Sequence, residues 1–296
     1  MIRKILLLCC LVATAHLFAQ DYKLVWEDNF NNDQLDEGKW TILVNGKGGG
    51  NKELQYYRKE NITIGTEPAS GDRCLIITAR KEKFRGKKAT SGRLSTKNKM
   101  DFRYGKVEAR IKLPRTADGL WPAFWMLGSD HPETRWPKCG EIDILEMGHA
   151  DGIKAGTQDR LFNGACHWGE AFNGGKYPNY AKASVNSYSL QDDFHLFTLI
   201  WDQKIIRMYV DADKYPGREP YFEMPIDSEA VPNKPASYFN KPFVLIFNLA
   251  VGGNFPSIRD INKITALAKG EAKMYVDYVR VYQKGDENEQ IRIYKK

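Results

Sequence analysis

Eight consecutive residues, Lys106-Val107-Glu108-Ala109-Arg110-Ile111-Lys112-Leu113, alternate charged and apolar side chains without a fault. A period of two fits a half-buried antiparallel strand, because successive side chains leave a strand on opposite faces, and it gives a helix no apolar stripe. Similar runs, rich in β-branched and aromatic residues, return at 75–79, 194–201, 205–210, 243–249 and 274–282. Asp202-Gln203-Lys204, between two of them, is hairpin-sized. Glycine and proline punctuate the spaces. Past residue 20 no segment sustains a 3.6-residue period, and 265–272 has room for one or two helical turns only. Many short strands separated by turn signals predict an all-β sandwich or barrel. The longer intervals, at 45–51, 118–140, 148–163, 169–186 and 215–240, are where such a frame would build a cleft.

With 296 residues, 42% hydrophobic and 27% charged, the chain has material for an ample core, and no linker or repeat divides residues 21–285. That span is expected to be one domain, with 286–296 a polar tail or short edge strand. Residues 1–20 read differently. Arg3 and Lys4 precede an apolar run over 5–15, and Leu17-Phe18-Ala19-Gln20 offers a small residue for cleavage, the pattern of a secretory signal peptide. Export to a periplasm or the exterior is the expectation. A lipid anchor on Cys9 or Cys10 fits less well, since only a few apolar residues precede either. No other segment is long and apolar enough for a membrane-spanning helix. Cys74, Cys139 and Cys166 then remain, an odd number without zinc-like spacing, and three buried thiols are expected rather than a disulfide framework. The formal charge of +7 falls to about +5 without Arg3 and Lys4. Its basic residues are scattered among acids, and the densest run, 81–88, looks like a hairpin tip. A solvated surface fits this better than a nucleic-acid face.

The chemistry concentrates in Glu141-Ile142-Asp143-Ile144-Leu145-Glu146. Carboxylates that interrupt an apolar strand are costly unless they face a wet cleft and act there. Glu141 and Asp143 share a face, whereas Glu146 has the opposite parity and would enter the core. One extra residue in a β-bulge brings it back beside the other two. Close, differently tuned carboxylates among aromatics suit glycosidic bond cleavage, where retention needs two carboxyls about 5–5.5 Å apart. A surface strand decorated with acids is the plainer alternative, but these acids interrupt the apolar run rather than alternate with it.

Trp121, Trp125 and Trp136 lie within about 20 residues upstream, and indoles stack on the apolar faces of sugar rings. As a strand, 121–127 would place Trp121, Ala123, Trp125 and Leu127 on one face and Phe124 and Met126 on the other, so core packing competes with stacking. His167 falls on a neighbouring strand, where it would donate to a sugar hydroxyl or serve structure. No His-x-x-x-His, Gly-x-Ser-x-Gly, phosphate loop or dinucleotide fingerprint appears.

Gly140-Glu141-Ile142-Asp143-Ile144-Leu145-Glu146 resembles the bulged signature of family 16 glycoside hydrolases. Trp26–Phe30, Asn51–Tyr57, Trp121–Leu127, Trp136-Pro137, Ala165–Trp168, Asn248–Asn254 and Val276–Tyr282 extend the likeness, in order, to laminarinase-type members. The resemblance covers about 22–283. It implies a β-jelly-roll sandwich of two antiparallel sheets with an open cleft on the concave face, and an endo-acting retaining mechanism. Glu141 would be the nucleophile, Asp143 its helper and Glu146 the acid/base. Trp121, Trp125 and Trp136 would hold sugars on the non-reducing side of the cut, Asn51 and Arg93 would bind substrate, and His167 would face the sugar beyond the cut. Catalysis would need no cofactor. A structural calcium is implied on the convex side, with Glu27 and Asp277 as ligands beside a carbonyl near Arg73. The partner is then a polysaccharide, β-1,3- or mixed β-1,3/1,4-glucan, for a monomer without nucleic acid. An agar- or porphyran-type galactan is the alternative within the family, and a non-catalytic glycan-binding protein the alternative outside enzymes.

Overall fold

The structure, a computed structural model, describes residues 22–191, 193–229 and 234–294; the expected signal segment lies outside them. Two sheets, of ten and nine strands, face each other across one core, and all their pairings are antiparallel except Gln55–Tyr57 with Ala89–Ser91. The first sheet runs in order through Phe222–Pro225, Ile205–Val210, His195–Trp201, Gly105–Lys112, Glu271–Gln283 and Arg73–Arg80. The alternating run at its centre is buried at every second residue, with Val107, Ala109 and Ile111 in the core. The second sheet runs through Asn179–Val185, Leu161–His167, Glu141–Met147, Leu120–Gly128, Phe243–Val251 and Arg93–Ser95. Its inner face contributes Phe124, Met126, Ile142, Leu145, Phe162, Leu245 and Phe247 to the same core, and Phe124 stacks on Phe247 at 4.6 Å.

Some intervals that read as loops hold short strands. Asn179–Val185 is an exposed edge of the second sheet, and Phe222–Pro225 edges the first. The interval 148–163 contains the helix Ala150–Ala155, whose amino end is capped by His149 Nδ1 accepting from the Asp151 N–H. Over 265–272 only the 3₁₀ turn Thr265–Leu267 forms before the strand from Glu271. At the carboxyl end, Gln290–Ile293 pairs with Met100–Arg103, and Arg292 clamps buried Asp101 through two bonds of 2.7 Å. Cys74, Cys139 and Cys166 are buried free thiols. Among the described residues no helix is long and apolar enough to cross a membrane.

Candidate active site

The outer face of the second sheet carries the site, and the register shows how. Leu127 pairs with Glu141 and Trp125 with Asp143, but Ala123 pairs with Glu146, so one residue is extra between Asp143 and Glu146. The neighbouring strand repeats the shift: Glu141 faces His167, Asp143 faces Ala165 and Glu146 faces Asn163. This is the bulge the acids require, and it leaves Ile142, Ile144 and Leu145 buried while Glu141, Asp143 and Glu146 share the other face. A bulge leaves a carbonyl outside the ladder. Here the buried Tyr221 hydroxyl, from the long interval 215–240, donates to the Ile144 carbonyl.

Three rows of side chains cross this face. Arg93, Asn248, Ala123, Glu146 and Asn163 are in successive register; Ile246, Trp125, Asp143 and Ala165 form the next row; Val244, Leu127, Glu141 and His167 the third. His167 Nε2 lies 3.2 Å from Asp143 Oδ2, and ligand atoms of Glu141, Asp143 and His167 all fall within 4.8 Å of one another. Trp121 Nε1 donates to Glu146 Oε1 at 3.0 Å. Burial pushes the Glu146 carboxyl up to about 8, and the Asp143 charge adds to it. Burial, then Asp143, pushes Glu141 to about 8, opposed by His167 and Arg93; burial alone pushes Asp143 to about 8. Such close groups titrate together, and the charge on the first to ionise helps keep its neighbours protonated.

These carboxyls bind protons more tightly folded than unfolded, so the folded chain loses stability as pH rises from about 4 toward 8. Glu146→Gln, which keeps an acceptor for Trp121, should therefore melt with wild type near pH 4 and above it near pH 8. A gain of about 1–2 kcal/mol is expected, discounted because water in the cleft screens the charge. Melting curves across that range decide it, and a pH-independent difference would refute it.

The three tryptophans do not form one platform. Trp121 is nearly buried, stacked at 4.7 Å on Phe255, with its N–H on Glu146. Trp125 carries the Arg93 guanidinium 4.7 Å over its ring and donates to Asn248 Oδ1 at 2.7 Å. Trp136 packs beside Leu127 and Cys139 and turns toward His167 and Tyr177. Asn51 belongs to the loop after Gly48–Gly50; its carbonyl accepts from the Asn254 N–H beyond the strand that carries Asn248. Buried Glu53 accepts from Gln55 and Tyr57 behind that loop. Asn248, Asn163, Phe255 and Tyr177 are site residues that the sequence reading did not single out. Asn248 carried a signal, as the one polar side chain in a fully buried strand.

The calcium ligands fare differently. Glu27 Oε2 is met by Arg280 at 3.2 Å, and its carbonyl accepts from Lys39 Nζ at 2.8 Å. Asp277 Oδ2 is met at 2.7 Å by Arg110, which also holds Asp72. With basic side chains already answering both carboxylates, these residues do not fit a divalent-cation centre. Among the described residues the one cluster of three metal-type ligands is Glu141, Asp143 and His167.

The family model "Glycosyl hydrolases family 16" matches residues 53–236. The Clotting factor G alpha subunit of Tachypleus tridentatus is 34% identical over 94% of this chain and 37% of its own length. Glucan endo-1,3-beta-glucosidase A1 of Niallia circulans is 35% identical over 88% of this chain and 38% of its own length. The chain thus spans under two-fifths of either relative. Among solved structures, the family 16 protein of the Bacteroides ovatus mixed linkage glucan PUL, in complex with G4G4G3G product, superposes with a TM-score of 0.74. It is 37% identical over 86% of this chain and 99% of that one.

Proposed function

The chain belongs to glycoside hydrolase family 16, with the jelly-roll sandwich of that family, and from this premise we propose that it is an exported, retaining endo-β-glucanase. Its substrate is β-1,3-glucan, mixed-linkage β-1,3/1,4-glucan, or both. The observation that carries the reading is the bulge at Ile144, which sets Glu146 on the face of Glu141 and Asp143.

In the first step Glu141 attacks the anomeric carbon while Glu146 gives its proton to the departing glycosidic oxygen; that bond breaks and a glycosyl ester forms. In the second, Glu146 takes a proton from water, the water oxygen attacks the same carbon, and Glu141 leaves. Carboxyls and water balance both steps. The raised Glu146 carboxyl supports the acid role, because it still holds a proton at neutral pH. His167 and Arg93 favour an ionised Glu141, and Asp143 stands between the two. Trp125, Arg93, Asn248 and Asn51 are assigned to the non-reducing side of the cut, and His167 to the leaving-group side. Asn163 Oδ1 and His167 Nδ1 are buried without a hydrogen-bond partner among the described residues.

Incubation with laminarin, barley glucan, lichenan, agarose and porphyran, with oligosaccharide sizing and proton NMR of early product, tests this. Internal cleavage of one or more of the first three with the β anomer appearing first is the expected result. Exclusive cleavage of a galactan, or the α anomer first, would overturn it.

A further inference from the structure

The segment after His167 is not explained by the carboxylates. Between Gly169 and Pro178 it lines a cavity of about 510 Å³, together with Glu170, Asn173, Lys176, Tyr177 and Tyr238. Phe172 is 52% exposed, the most exposed phenylalanine among the described residues, and it stacks at 5.8 Å and 30° on Tyr177. Tyr177 in turn meets Trp136 edge-on at 4.6 Å, and Trp136 leans on His167. Phe172 also lies 5.7 Å from Trp136 and Tyr177 5.7 Å from His167, so the rings form a compact cluster between open solvent and the register partner of Glu141. Its foundation is fixed: Glu170 is held by Lys138 at 2.6 Å and accepts from the Tyr238 hydroxyl at 2.8 Å, and the Trp168 N–H donates to the Pro178 carbonyl. The Tyr177 hydroxyl is raised by burial and then by the fields of Glu141, Asp143 and Glu146, which agrees with its closeness to them.

Apolar ring faces beside a polar-rimmed cavity suit pyranose rings, whose CH faces stack while their hydroxyls find donors and acceptors. We infer that Phe172 and Tyr177, with the cavity lined by the Gly169–Pro178 loop, form a subsite for the leaving-group portion of the glucan chain, beyond the sugar that His167 faces. The inference rests on the functional reading above and adds to it the residues that select chain length on that side. A site of this kind makes the enzyme prefer cuts that leave a longer reducing-end fragment. It also makes the loop the landing place for an acceptor sugar that replaces water in the second step.

The test compares wild type with Phe172→Ala and Tyr177→Ala on reducing-end-labelled β-glucan hexa- and heptasaccharides, and on an aryl glycoside whose leaving group is too short to reach the loop. Phe172 is exposed, so its truncation removes ring contact without opening the core. The expected result is a loss of about three- to tenfold in kcat/KM on the long oligosaccharides, exceeding the loss on the aryl glycoside. Cleavage should shift toward shorter reducing-end fragments, with less transfer to added acceptor. An active wild type whose cleavage pattern and transfer ratio match those of both variants would overturn the subsite alone. A wild type inactive on every β-glucan would overturn the functional reading and the subsite with it.

Discussion

Glu141→Ala is expected to abolish turnover of β-glucan, lowering kcat by about 10⁴-fold or more, because no other group can form the glycosyl ester. Glutamine at this position should be nearly as severe, since an amide oxygen is a poor nucleophile. The informative measurement is rescue. With Glu141 reduced to Ala, a small anion such as azide can enter the vacated space beneath the anomeric carbon. A single displacement then replaces two, so an activated aryl β-glucoside should yield the α-configured glycosyl azide. That outcome requires Glu141, and no other acid of the trio, to occupy the face opposite the leaving group. A β-configured azide from this variant would mean that the nucleophile had been left in place and that Glu141 serves elsewhere. The melting curve separates this from damage to the fold: Glu141 pairs with Leu127 and His167 on an open face, and its loss removes a charge that burial disfavours.

The parts of this molecule visible in its sequence are those where one strand's own pattern decides the outcome. Val107, Ala109 and Ile111 enter the core because their alternation permits nothing else. The split of Trp125 and Leu127 from Phe124 and Met126 follows from the same period. The need for a bulge was also visible, because Glu146 has the wrong parity. What braces the bulge was not: Tyr221 reaches Ile144 across 77 residues of chain, and no local pattern encodes that contact. Asn179–Val185 hid for a related reason, as an edge strand exposed along nearly its whole length shows no apolar alternation. The implied calcium ligands illustrate the converse. Glu27 and Asp277 sit where acids were expected, but their partners Arg280 and Arg110 come from neighbouring strands far along the chain. Trp121 stacks on Phe255 and gives its N–H to Glu146, and neither neighbour could be read from the strand's own pattern. In each case a residue's type was legible and its neighbour was not.

Glu146→Ala should give a loss that depends on the leaving group, which distinguishes an acid/base from a nucleophile or a merely structural carboxyl. On laminarin or barley glucan the departing sugar oxygen is a poor leaving group and needs the proton, so kcat/KM is expected to fall by about 10²–10⁴-fold. On a dinitrophenyl glycoside the first step needs no acid, and the glycosyl ester should still form. Hydrolysis of that ester then becomes slow for want of a base, so a burst of dinitrophenolate should precede a low steady rate. Azide should raise the steady rate, because an anion needs no deprotonation, and the product should be the β-configured azide after two displacements. The pH profile supplies a further readout. Wild-type kcat/KM should decline on the alkaline side as the trio gives up its proton toward pH ~8, whereas on the dinitrophenyl substrate the variant should lose that limb. Trp121→Phe removes the N–H that favours the ionised Glu146, so it should move the alkaline limb upward while leaving the stack on Phe255 in place. Equal losses on polysaccharide and dinitrophenyl glycoside, with no burst, would show that Glu146 shapes the cleft and transfers no proton.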